Sequence, residues 1–313
     1  MAVGDAMGKM TEGFWPEEIL SAYGGRVTHF RDPLYPRGTQ KGCRQERWGY
    51  AEVTDDTRFT LVVAKSVIDG RCIDREDIIQ GILRDESKIK GWPGWEGFCR
   101  AAGKDEERIK EFAKWRDGNG APMRVSPIGI INRPDRLEKI ITDVEMACSM
   151  THGARSTLSG ACAMAAAISA AVEGHERKEV FEFAIKAARL GESLGNDDNR
   201  PPADRILNGI DFVNGYRGSQ LATDLRRVLN PGFLAYEGVP YALTLAYGIP
   251  SAKDAILAAV NQGGDADSIA AMAGSVTAAL YPDTLPEEWV REVEEANKLN
   301  LRKTALKLFG LRQ

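Results

Sequence analysis

The chain has 313 residues, with 41 basic and 45 acidic side chains, three histidines and five cysteines. Its length is ample for a buried core, and 43% hydrophobic with 27% charged residues excludes a disordered chain. A formal net charge of −4 excludes a dedicated nucleic-acid or anionic-membrane binder, which would carry a basic excess or a basic face.

In chain order, the first motif begins at Gly4 with no signal-like segment ahead of it, and runs from Gly4-Asp5-Ala6-Met7-Gly8 to Glu12. Thr54-Asp55-Asp56-Thr57 then precedes a helix expected over 59–68, where Leu61 and Val62 set an apolar face against Lys65 and Asp69. Ile78, Ile79, Ile82 and Leu83 repeat the helical spacing. The segment 84–116 is highly charged yet carries Trp92, Trp95, Phe98 and Trp115; it reads as either a lid with a base-stacking surface or a small helical insertion with its own aromatic core. Leu137, Ile140, Ile141, Val144 and Cys148 form the next helical stripe, and Phe181, Ala184, Ile185 and Ala188 another. Residues 156–172 and 268–280 are dominated by small side chains, which let neighbouring helices approach closely, so both are expected at the centre. The stretches 91–97 and 196–202 are loops without linker character.

Alternating β-branched and polar runs are nearly absent. The expected fold is all-α, an orthogonal bundle of about a dozen helices, in one domain spanning 1–313. The longest apolar stretches fall short of the ~20 residues of a membrane span. Cys43, Cys72, Cys99, Cys148 and Cys162 are odd in number and contain no C-x-x-C pair, the usage of a reduced, cytoplasmic protein. His29, His152 and His175 are too scattered for a histidine-based metal centre.

Two segments place carboxylates and a hydroxyl at the mouth of an otherwise apolar helix. They are Thr54-Asp55-Asp56-Thr57 and Gly263-Gly264-Asp265-Ala266-Asp267-Ser268. One N-cap explains one Asp, because a single side-chain oxygen accepts a free backbone N–H. It does not explain paired carboxylates at both helices. If the helices pack side by side, each like-charge pair at about 4 Å costs about 4 kcal/mol at an effective dielectric of ~20. Cations or shared protons must then lie between the groups. Carboxylate and hydroxyl oxygens select hard ions, Mg²⁺ first, then Mn²⁺ or Ca²⁺.

These segments, together with Gly118-Asn119-Gly120-Ala121-Pro122-Met123-Arg124, Thr151-His152 and the stretch from Glu237 to Leu243, occur in an order and spacing that resembles the ADP-ribosylglycohydrolase family. The resemblance spans residues 4 to 268 and implies an orthogonal helical bundle with a binuclear Mg²⁺ (or Mn²⁺) centre at the base of a cleft. It makes Thr54, Asp55, Asp56, Asp265, Asp267 and Ser268 the metal ligands, with Ser268 where the family more often has Thr. Glu12 falls where related hydrolases carry a glutamate near the metals. Gly118, Asn119 and Gly120 resemble the substrate loop, whose backbone N–H groups can face a diphosphate. His152 would line the ribose side. Arg124 would pair with an internal carboxylate or with a phosphate.

The implied reaction is hydrolysis at the anomeric carbon of a ribose, with Glu12, Asp56 and Asp265 as candidate proton carriers and the acid and base roles left open between them. The substrate would be an ADP-ribosylated protein or a small ADP-ribosyl compound, with no nucleic acid and no membrane as partner. Trp15 and Tyr50 flank motif residues and are candidates to stack on a base. Rival readings are hydrolysis of free or modified nucleosides on the same centre, a non-catalytic relative that keeps the fold, and a two-metal phosphohydrolase.

Overall fold

The computed structural model of the chain describes residues 1–34, 48–85, 87 and 89–312. In chain order its α-helices are α1 (Ala2–Gly8), α2 (Pro16–Tyr23), α3 (Asp55–Gly70), α4 (Arg75–Leu83), α5 (Trp95–Ala102), α6 (Glu106–Ala113), α7 (Ser126–Ile131), α8 (Leu137–Cys148) and α9 (Arg155–Glu173). There follow α10 (Arg177–Gly191), α11 (Pro202–Gly215), α12 (Leu221–Leu225), α13 (Ala235–Gly248), α14 (Ala252–Val260), α15 (Ala266–Leu280), α16 (Glu287–Asn297) and α17 (Leu301–Phe309). Among the described residues extended pairing is confined to two isolated bridges, Gly118 with Leu234 and Ala154 with Asn196. The all-α class is as expected. The helices outnumber the expected dozen because α1, α7 and α12 have only 7, 6 and 5 residues, too few to show a 3.6-residue period.

Both small-residue helices are central. α9 is buried from Ser156 to Ala171 and packs against α7, α8, α10, α13 and α15. It is 19 residues long, longer than its apolar run suggested, and apolar enough to cross a membrane by length and composition, yet neighbouring helices bury it. α15 packs against α1, α13 and α14.

α1 and α15 cross with their backbones close together. A Cβ at Gly4 would stand 2.2 Å from the Ala270 carbonyl oxygen, and one at Gly8 2.2 Å from that of Ala266. Two glycines four residues apart on α1 thus meet two carbonyls four residues apart on α15, the spacing at which one helix face repeats. Without side chains the two backbones nearly touch.

The 84–116 segment forms the α5 and α6 helices around an aromatic cluster. The Trp92 ring lies 5.5 Å from Phe98 and 6.2 Å from Phe112, and meets Phe59 of α3 edge-on at 4.9 Å. Trp115, by contrast, is 60% exposed. The insertion therefore has its own aromatic core, which is anchored to α3. Cys72, Cys148 and Cys162 are free thiols, while Cys43 lies outside the described residues.

Candidate active site

Three backbone segments build the site: the turn after α1, the start of α3 and the start of α15. Asp5, fully buried on α1, caps α3 from outside. Its carboxylate accepts from Thr54 N (3.0 Å), Thr57 N (3.1 Å) and Thr57 Oγ1 (2.5 Å). Thr54 itself is the N-cap of α3 and accepts from Asp56 N, while its hydroxyl donates to Asp56 Oδ2 at 3.2 Å. These groups satisfy N–H donors that the first turn leaves open, so α3 begins with Asp55 and Asp56 held at a fixed angle to α1.

The turn after α1 is tied to the α15 side. Thr11 Oγ1 donates to Val260 O at 2.6 Å, Gly13 N to Gly264 O at 2.8 Å and Gly264 N to Phe14 O at 3.1 Å. Gly263 and Gly264 have φ of +65° and +70°, and a Cβ on either would lie within 2.0 Å of a carbonyl oxygen. Glycine is needed at both positions for conformation and for space. This clamp delivers Glu12 to the mouth of α15, where Glu12, Asp265 and Asp267 each offer an oxygen within 4.8 Å of the others.

Asp55 and Asp56 join the same electrostatic cluster. Burial, and then the negative charge of Asp267, raises the Asp55 carboxyl well above its ordinary value. Burial, then Asp5 and Asp267, do the same for Asp56, and burial followed by Asp267 and Glu12 for Asp265. Glu12 is also raised, chiefly by burial and Asp267, against the pull of Lys9. Ser268 Oγ reaches Asp56 Oδ2 at 3.4 Å and so links the two helix starts directly. The six ligand candidates Thr54, Asp55, Asp56, Asp265, Asp267 and Ser268 thus fall in one place, with Glu12 beside them. Asp56 Oδ1 is buried without a hydrogen-bond partner. A buried carboxylate oxygen left open amid like charges is the donor chemistry of a hard divalent cation. The residues present fit such an ion.

The Gly118–Gly120 loop borders this centre through a side chain. Asn119 Nδ2 donates to Asp265 Oδ2 at 2.5 Å and to Gly232 O at 2.9 Å. The Asn119 backbone N–H, expected to face a phosphate, is already committed to Phe233 O at 3.0 Å. Gly120 lies flat against His152, and a Cβ there would stand 2.3 Å from its Cε1. His152 is buried, and its Nδ1 pairs with Thr151 Oγ1 at 3.0 Å. Burial, then the Arg124 and Arg116 charges, hold its imidazole well below its ordinary pKa, so it is neutral.

Arg124 departs from expectation. It meets neither a described carboxylate nor an open surface. Its fully buried guanidinium donates to Ala147 O (3.1 Å), Cys148 O (3.4 Å) and Thr151 Oγ1 (2.5 Å), and lies 4.6 Å from the Phe59 ring centroid. The carbonyls and negative dipole end of α8 take Nη2 alone, while Nε and Nη1 are buried without a hydrogen-bond partner among the described residues. Tyr50 is bonded to Glu292 at 2.5 Å and Trp15 carries Arg226 on its face at 4.6 Å, so both rings have protein partners.

Asp5 as a cap, Asn119 as a partner of Asp265, and Lys9 were not singled out from the sequence. Lys9 pairs with Glu12, and its Nζ stands 3.6 Å from Asp267 Oδ2. Its position three residues before a Glu was the available signal. Burial works against the Lys9 charge, but Glu12 and Asp267 outweigh it and hold the ammonium above its ordinary pKa.

A helical scaffold that gathers carboxylates around an open oxygen suits hydrolysis assisted by a hard cation. The chain belongs to the ADP-ribosylglycohydrolase family, whose model matches residues 1–313, and it is a hydrolase of glycosidic bonds. It is 30% identical over 325 residues to the protein YegU of Escherichia coli, covering 100% of this chain and 95% of that one. It is 26% identical over 320 residues to the ADP-ribosylarginine hydrolase Tri1 of Pseudomonas putida, covering 99% and 76% of the two chains. Against the human ADP-ribosylhydrolase ARH3 it is 23% identical over 325 residues, covering 93% and 86%. A solved structure described as an ADP-ribosylglycohydrolase-related protein complex superposes with a TM-score of 0.63 at 21% identity, over 100% of this chain and 95% of the other, and shares its fold.

Proposed function

We propose that the protein is a Mg²⁺-dependent ADP-ribosyl glycohydrolase that cleaves the bond at the anomeric carbon of the ribose, in an ADP-ribosylated protein or a small ADP-ribosyl compound. The convergence of Glu12, Asp265 and Asp267 within 4.8 Å carries this reading. Thr54, Asp55, Asp56, Asp265, Asp267 and Ser268 would hold two ions, with Mn²⁺ as the alternative metal. Bound there, the ions supply Lewis acidity toward water and sugar hydroxyls.

The protein's own groups do the rest. Glu12, which stands within 4.8 Å of Asp265 and Asp267, and Asp56 and Asp265 are the carboxyls placed to take and return protons during turnover. The transition state at the anomeric carbon is oxocarbenium-like and positive, so fixed carboxylates around it favour it over the neutral ground state. Neutral His152 and the Gly118–Gly120 loop form one wall. Gly120 leaves room for the imidazole there, and Asn119 holds Asp265 by its side-chain amide.

A single chromatographic panel tests the reading: ADP-ribosyl-arginine peptide, ADP-ribosyl-serine peptide, small ADP-ribosyl derivatives and free nucleosides, each with Mg²⁺ and with EDTA. Release of ADP-ribose from at least one ADP-ribosyl substrate, lost in EDTA, is the expected result. Cleavage of nucleosides alone, or turnover indifferent to EDTA, would overturn it.

A further inference from the structure

Lys9 is a charge that the reaction outlined above leaves without a task. It is the C-cap residue of α1, next to Gly8, where α1 presses on the backbone of α15. Its side chain is only 12% exposed and points inward. The ammonium is ion-paired with Glu12, stands 3.6 Å from Asp267 Oδ2 and lies 4.6 Å from the centroid of the Trp48 ring. Asp55 also contributes to the negative field around it. An exposed i, i+3 pair on a helix surface would contribute little. This pair sits inside the acidic cluster and touches two of the three carboxylates that converge there.

We propose that Lys9 is a tethered monovalent cation of the acidic centre, which neutralises Glu12 and Asp267 in the metal-free protein and competes with a divalent ion for the same oxygens. The inference rests on the reading of this cluster as a divalent-metal centre. Two consequences follow from the geometry. Without a metal, carboxylates packed this closely would repel one another, and a built-in ammonium offsets part of that repulsion. With a metal arriving, the ammonium must yield Glu12 and Asp267 and tolerate a second positive charge nearby, which lowers affinity. Lys9 therefore sets the concentration at which the centre fills, and keeps the empty form folded.

The test uses the full chain with Mn²⁺ as probe, followed by titration calorimetry at fixed pH and ionic strength, and by thermal unfolding in EDTA and in Mn²⁺. Lys9→Met removes the charge and keeps the length. Lys9→Gln removes the charge but keeps a donor for Glu12, so the comparison stands if Lys9→Met does not fold. The Mn²⁺ Kd is expected to fall at least about tenfold in the neutral variants, in line with removal of one unit charge a few ångströms away. Their unfolding midpoint in EDTA is expected to drop, and the rise on adding Mn²⁺ to grow. A Kd unchanged or weakened in the variants, with normal binding by the wild type, overturns the role of Lys9 alone. A wild type that binds no Mn²⁺ overturns the divalent reading of the cluster, and this inference with it.

Discussion

Asp267→Asn is expected to lower turnover by at least about 10³-fold and to remove divalent-ion binding in the same protein. Asp267 is the group through which the cluster is coupled. After burial, and for Asp56 after Asp5 as well, its charge helps to raise the pKa of Asp55, Asp56, Asp265 and Glu12, and it is one of the three carboxylates that meet within 4.8 Å. The substitution preserves the side-chain shape and the oxygen that accepts from Ser268 N at 2.9 Å. What it removes is charge. In the metal-free protein that loss relieves repulsion among the remaining carboxylates, so the unfolding midpoint in EDTA is expected to stay level or rise. Calorimetry with Mn²⁺, a turnover assay and a thermal scan together separate a ligand from a structural residue. A variant that keeps its affinity for Mn²⁺, or merely loses stability in EDTA, would contradict the assignment.

Gly8→Ala is expected to have the largest effect on stability. The added Cβ would lie 2.2 Å from the Ala266 carbonyl oxygen and 2.5 Å from the Asp267 Cα. Both are backbone atoms and cannot swing aside as a side-chain tip could. α1 must move off α15, and the turn carrying Lys9 and Glu12 must move with it. We expect a loss of about 3 kcal/mol or more, and a midpoint lower by roughly 5 °C. Mn²⁺ affinity should fall as well, because the displaced turn no longer presents Glu12 to Asp265 and Asp267. A wild-type midpoint would show that α1 and α15 are not in backbone contact.

Much of this arrangement was legible in the sequence because its signals are local. A run of Ala and Ser with helical length marks a helix that others crowd, and α9 and α15 are indeed central. Paired Asp residues at a helix start exceed what capping needs, but that the two starts meet, left as a condition by the sequence, is shown only by the fold. The losses occur where meaning depends on a distant partner. Gly4 and Gly8 announce a close approach, but only the fold shows that α15 is what approaches. Asn119 reads as a turn residue between glycines, and its bond to Asp265 spans 146 positions. From its place one helical turn after the Gly118–Gly120 loop, Arg124 reads as the partner of a carboxylate or a phosphate. The carbonyls at the end of α8 receive its Nη2 instead, and no single-residue pattern reveals them. The tryptophans of the 84–116 segment look alike in sequence, yet packing buries Trp92 and leaves Trp115 in solvent.

The most direct measurement of the central claim, that the starts of α3 and α15 form one metal centre beside a ribose site, is anomalous diffraction from crystals grown with Mn²⁺ and soaked with ADP-ribose. Anomalous peaks are expected among Asp55, Asp56, Asp265, Asp267 and Ser268, with the ribose hydroxyls against them and the Gly118–Gly120 loop and His152 alongside. ADP-ribose bound elsewhere, or crystals with no anomalous peak between the two helix starts, would contradict it.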